Sequence, residues 1–123
     1  MASVSRFDSV ITVLIVFMTI DFITGLIVAA VFKTSKHGKS GLESKVCWKG
    51  LSKKGVTLLI CLMALHFDCL LGTNFVLNAV AIGFIVNESI SIIENAGLMG
   101  IPVPAQLKDA ITVLKSKAKE NDR

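Results

Sequence analysis

Three stretches of the chain are nearly free of charge, and each is bounded by lysines, acids or turn residues. The first runs from Val10 to Phe32. At roughly 1.5 Å per helical residue it is about 34 Å long, enough to cross ~30 Å of hydrocarbon. Arg6 and Asp8 precede it, and Lys33 and Lys36 stop it. It is too long for a signal-peptide core and carries an acid at its middle, so it reads as an uncleaved helix. The second stretch, Val56 to Leu71, is short for a crossing. Either the bilayer thins there or the helix starts inside the Lys53–Lys54 flank. Gly72, Thr73 and Asn74 form a minimal turn, and the third stretch follows from Phe75 to about Ile93. The last two predict a helical hairpin across the membrane. Beyond Glu94, Gly97, Gly100, Pro102 and Pro104 end the helix. From Ala105 onward, Leu107, Ala110, Ile111 and Leu114 recur at helical spacing, with Lys108, Lys115, Lys117, Lys119 and Arg123 on the other face and tail. Residues 105–123 are therefore expected to form an amphipathic helix on the membrane surface or on a neighbouring subunit.

The pattern predicts an all-α integral membrane protein, with three transmembrane helices plus a C-terminal amphipathic helix, in one domain over 1–123. Composition supports it. Of 123 residues, 53% are hydrophobic and 18% charged, against about 25% charged in an average soluble domain. Such a chain is too apolar for disorder, and a soluble fold of this size could not hide its apolar surface.

The net charge of +4 is unevenly placed. Lys33, Lys36, Lys39, Lys45, Lys49, Lys53 and Lys54 face only one acid, Glu43, within residues 33–55. A basic block between two oily segments is the mark of a cytoplasmic loop, not of a nucleic-acid surface. That places the N-terminus outside and the C-terminus in the cytoplasm. Trp48 is expected at the headgroups, and anionic lipid is expected to hold part of the loop at ~1 kcal/mol per basic residue. Cys47, Cys61 and Cys69 are odd in number and form no CxxC, so they read as small apolar residues rather than a disulfide or zinc set. No internal repeat supports an inverted-repeat transporter.

The chemistry lies in the polar residues within the apolar stretches. An ionised acid at mid-bilayer costs roughly 2.5–3.5 kcal/mol on insertion scales, so Asp21 must face protein or water. Gly25 and Ala29 follow it at four-residue steps and let another backbone approach. Asp68 either snorkels to the interface or joins a polar stripe; His66, two residues earlier, diverges from it by about 200° and cannot share a metal ion. In the third stretch Ala79, Gly83, Asn87, Ser91 and Asn95 step by four as a ridge for close packing and interhelical hydrogen bonds. Glu88 and Glu94 are placed to meet Lys53 or Lys54. The candidate pore-lining set is thus Asp21, Asp68, Asn87, Glu88 and Glu94, and Gly25, Ala29, Ala79, Gly83 and Ser91 are candidate packing positions. His37 and His66 have no triad spacing, and no phosphate loop occurs. The expectation is a protein that is not an enzyme and takes no cofactor or metal. Three helices cannot enclose a wide lumen, so a pore requires several copies.

Four blocks carry a family resemblance: Asp21-Phe22-Ile23-Thr24-Gly25-Leu26, Lys49-Gly50-Leu51-Ser52-Lys53-Lys54, Asn87 to Asn95, and Gly100-Ile101-Pro102-Val103-Pro104-Ala105-Gln106-Leu107. In order and spacing they resemble the toxin-secretion/phage-lysis holin family, from about Asp21 to Leu114. The resemblance implies a homo-oligomer that gathers in the bacterial inner membrane and then forms lesions. An endolysin escapes through them to attack peptidoglycan, or a toxin is released. Two other functions fit the residues: a small ion- or proton-coupled transporter using Asp21 or Glu88, and a membrane anchor for a soluble partner.

Overall fold

A computed structural model describes residues 2–32 and 44–121. Four helices follow one another: α1 (Ala2–Ala30), α2 (Ser44–Leu71), α3 (Val76–Leu98) and α4 (Ala105–Asn121), with no strand among the described residues. Among the described residues, three segments are long and apolar enough to cross a membrane: Asp8–Ala30, Lys45–Leu71 and Val76–Leu98.

The boundaries differ from the expected ones where lysines and glycines were read as breakers. The second crossing does not begin at Val56. The C-terminal half of the expected basic loop, with Lys45, Lys49, Lys53 and Lys54, is part of α2. Lysine is a good helix former, and glycine inside a helix costs only about 1 kcal/mol, so Gly50 and Gly55 are carried through. Lys45, Lys49 and Lys53 recur every four residues on an exposed face, beside an exposed Trp48. Lys33, Lys36 and Lys39 lie outside the described residues. α3 likewise continues past Ile93 to Leu98, because a glycine ends a helix only where the chain needs a left-handed residue. Gly97 stays helical, and Gly100 takes φ +76. There the Ile101 N–H reaches the Ala96 carbonyl at 2.9 Å and the Gly100 N–H reaches Gly97 at 3.1 Å, a Schellman closure. Gly72 ends α2 in the same way, with φ +67 and the Thr73 N–H on the Asp68 carbonyl at 3.0 Å.

The helices meet along seams spaced alternately by three and four residues, the repeat that keeps one face toward a neighbour. On α1 the seam is Ile11, Leu14, Met18, Asp21, Gly25 and Val28; on α3 it is Leu77, Ala81, Phe84, Glu88, Ser91 and Asn95. α2 contributes Lys54, Cys61, Ala64 and Asp68. Near the α2–α3 turn the seam is apolar, with Ile11, Leu14, Met18, Cys61, Ala64, Leu77, Ala81 and Ile85 forming the core. Toward the other end it becomes polar. Most remaining large apolar side chains point outward, among them Leu59, Leu70, Leu71, Ile23 and Val31, as lipid-facing residues do.

α4 forms the amphipathic helix expected from Ala105 onward and packs on α3 of its own chain. Ile111, Leu114 and Ala118 are half-buried, and Leu114 packs against the core. Leu107 and Ala110 are exposed, so the apolar face lies slightly to one side of that expected. The reason is local: the Schellman turn and the prolines after it send the chain back along α3.

Candidate functional site: a charged network inside the spans

The polar half of the seam closes on one lysine. Heptad spacing along α2 sets Lys54 seven residues before Cys61 and fourteen before Asp68, on the inward face. Its Nζ lies 3.0 Å from Asp21 Oδ2 on α1, and 2.8 Å and 3.0 Å from the two oxygens of Glu88 on α3. The three side chains are 19%, 14% and 11% exposed respectively. One ammonium thus joins all three spans, and the sequence-based pairing of Glu88 with Lys54 is realised.

Asp21 is held from its other side by α3. Ser91 Oγ donates to Asp21 Oδ1 at 2.6 Å. Asn95 Nδ2 donates to the same oxygen at 3.1 Å, to the Asp21 carbonyl at 3.2 Å and to Thr24 Oγ1 at 2.7 Å. The Thr24 hydroxyl donates in turn to the Ile20 carbonyl at 2.8 Å. Asn95 is fully buried, and its Oδ1 has no hydrogen-bond partner among the described residues. Gly25 lies against it: a Cβ there would come 3.9 Å from Asn95 Nδ2. Counting ~1.5 Å per residue from Val76 puts Glu88 about 18 Å and Asn95 about 28 Å along α3 from the turn. From Leu71, Lys54 is about 25 Å away, within ~30 Å of hydrocarbon, while Lys45 and Lys49 fall beyond it.

Asp68 stands apart at the other end of the seam. It is fully buried. Its Oδ1 accepts from Thr73 Oγ1 at 2.7 Å and from the Val76 N–H at 3.0 Å, and its Oδ2 accepts from the Leu77 N–H at 2.9 Å. Instead of snorkelling to the interface, it caps the start of α3, where free N–H groups and the positive end of the helix dipole favour an anion.

The four-residue ridge on α3 does not stay on one face, because each step of four residues turns by about 40° beyond a full circle. Ser91 and Asn95 point into the network. Asn87 and Gly83 are exposed, and Gly83 has open space around it. Ala29 and Ala79 are half-buried, and Glu94 is exposed. The sequence reading paired Lys54 with Glu88 but did not join it to Asp21, and it left out Thr24. It gave Ser91 and Asn95 to close packing and interhelical hydrogen bonds without naming Asp21 as their partner. The signal was present: Glu88, Ser91 and Asn95 stand at i, i+3 and i+7. No group of three or more His, Cys, Asp or Glu side chains is gathered for a metal ion among the described residues.

Three long apolar helices and a charged network between them define a small multi-span membrane protein. Residues 1–116 match the Bacteriophage holin family, and the chain belongs to it. It is 33% identical over 111 residues to the protein named "Probable holin" of Bacillus phage phi105, covering 89% of this chain and 75% of that one. It is 37% identical over 106 residues to a Clostridium perfringens protein from the nagH 3′ region (85% and 75% covered). A Listeria monocytogenes protein is 34% identical over 116 residues (94% and 78% covered). No solved structure matches the chain.

Proposed function

We propose that the protein is a lesion-forming holin of the bacterial inner membrane, with the N-terminus outside and the C-terminus in the cytoplasm, acting as a single unit over 1–123. The observation that carries this reading is the Lys54–Asp21–Glu88 network. Charged groups are expensive inside a bilayer and mark paths for water or ions. Here they are satisfied within one chain, which fits a protein that collects harmlessly. Opening the seam would present the same groups to water. Exposed Lys45 and Lys49 fit anionic headgroups at the inner surface.

Self-association belongs to the same reading. Asn87 sits at the midpoint of α3, faces away from the chain, and has no hydrogen-bond partner among the described residues. Lipid tails offer it none, and sister copies can. Gly83, one turn away, allows the close approach. Through the resulting lesions an endolysin reaches peptidoglycan. The test is inducible expression in bacteria, with and without a peptidoglycan hydrolase, following optical density and dye entry. Abrupt growth arrest with dye uptake, and lysis only when the hydrolase is present, is expected. Uninterrupted growth at high membrane levels of the protein refutes the proposal.

A further inference from the structure

α4 occupies a place that lipid does not permit. α3 is about 33 Å long, and α4 folds back along it, so that Leu114, roughly 14 Å from the start of α4, reaches the core of the spans. Its inward face is Ile111, Leu114 and Ala118. Its outward face exposes Lys108, Asp109, Lys115, Lys117 and Lys119 beside a helix built to cross the bilayer. Hydrocarbon rejects charges at that depth. The docked position therefore requires water against this flank of α3. In an unbroken membrane the place for a lysine-faced amphipathic helix is the headgroup layer.

The connection between the helices suits such a change. Gly100 at φ +76 closes α3, and Pro102 and Pro104 stop the helix from running on. Backbone hydrogen bonds of the connection belong to the cap of α3 or to the first turn of α4, where Leu107 N–H meets the Pro104 carbonyl at 3.1 Å. α4 can thus swing without breaking either helix.

We infer that α4 is a two-position arm. It lies on the inner surface while the bilayer is intact, and docks along α3 where assembled copies have admitted water, its lysine face then lining the wet side. This inference rests on the lesion-forming reading, but part of its test does not.

The probe is the full chain with Cys47→Ser and Cys61→Ala. It keeps the exposed native Cys69 near the turn and adds Ser116→Cys on the exposed side of α4. Both thiols carry nitroxides, and the chain is diluted with unlabelled protein in dye-loaded phosphatidylethanolamine–phosphatidylglycerol vesicles. Docked, the pair is about 20 Å apart; with the arm on the surface it exceeds roughly 35 Å. At low protein-to-lipid ratio, with dye retained, the long distance is expected. As leakage begins, the short distance should grow with the leaked fraction. One unchanged distance on both sides of the leakage onset overturns the arm. In Lys115→Leu/Lys117→Leu/Lys119→Leu, which removes the three lysine charges farthest along α4 from its start near the surface, the short distance should dominate in tight vesicles; a long distance there overturns the inference regardless of leakage. Vesicles that never leak, combined with a short distance in the triple variant, would remove the holin reading and leave the arm standing.

Discussion

Lys54→Met is the sharpest perturbation of the network. Methionine keeps the length and helix propensity of lysine but removes the ammonium bonded to both Asp21 and Glu88. Two unit charges ~4 Å apart attract by about 4 kcal/mol at an effective dielectric constant near 20, and the contacts here are 2.8–3.0 Å. Breaking a buried pair by removing one partner typically costs about 3–5 kcal/mol, since the remaining charge stays behind unmatched. The side chains involved are shielded enough for that range to apply. Lys54→Met should therefore destabilise the chain by roughly 3 kcal/mol, about a hundredfold in the folding equilibrium. The assay is reversible unfolding in mixed micelles by titrating a denaturing detergent, followed through helix content. Lys54→Met/Asp21→Asn/Glu88→Gln, which removes all three charges, should recover most of the loss. A double-mutant cycle between Lys54 and Glu88 should show coupling above about 1 kcal/mol. A midpoint for Lys54→Met equal to the parent's, with coupling near zero, would refute the reasoning, because the network would then hold nothing together.

Three other outcomes follow from the same geometry. Asp21→Asn and Glu88→Gln should shift lysis onset at equal protein levels; unchanged timing in both counts against the seam as the element that opens. Asp68→Ala strips the cap from α3 and leaves the Val76 and Leu77 N–H groups without their acceptor, at a cost of about 1–2 kcal/mol in the same unfolding assay. Asn87→Leu with Gly83→Leu touches no packed neighbour of Gly83, so the unfolding midpoint should hold while chemical cross-linking of copies in membranes falls and lysis is delayed.

The number of crossings was legible because apolar length is a property of one segment at a time. Val10–Phe32 and Phe75–Ile93 each announce a helix on their own. The start of α2 was not, because a lysine-rich stretch reads as loop by charge and as helix by propensity, and only Lys54's partners on α1 and α3 decide the matter. The acids at Asp21 and Glu88 were legible as groups needing shelter, and Lys54 as a partner for Glu88. Joining Asp21 to the same lysine requires the relative depth of three helices, which no single stretch encodes. The four-residue ridge on α3 misassigned Asn87 and Asn95 to one face for a different reason: the repeat that keeps contact with a neighbour alternates three and four, and Glu88, Ser91 and Asn95 follow it. Asp68 was misread because a cap is defined by the N–H groups it meets, at Val76 and Leu77, and these belong to the next helix.

The capped corner between α2 and α3 has a bearing on biogenesis. In the orientation proposed above this corner crosses the bilayer, and a naked carboxylate with bare amides at the tip would be the worst cargo. With Asp68 bonded to the corner's own amides and hydroxyl, and the Thr73 N–H on the Asp68 carbonyl at the Gly72 turn, the tip carries its polar groups already hydrogen-bonded. The pair of helices can then enter the bilayer as one piece.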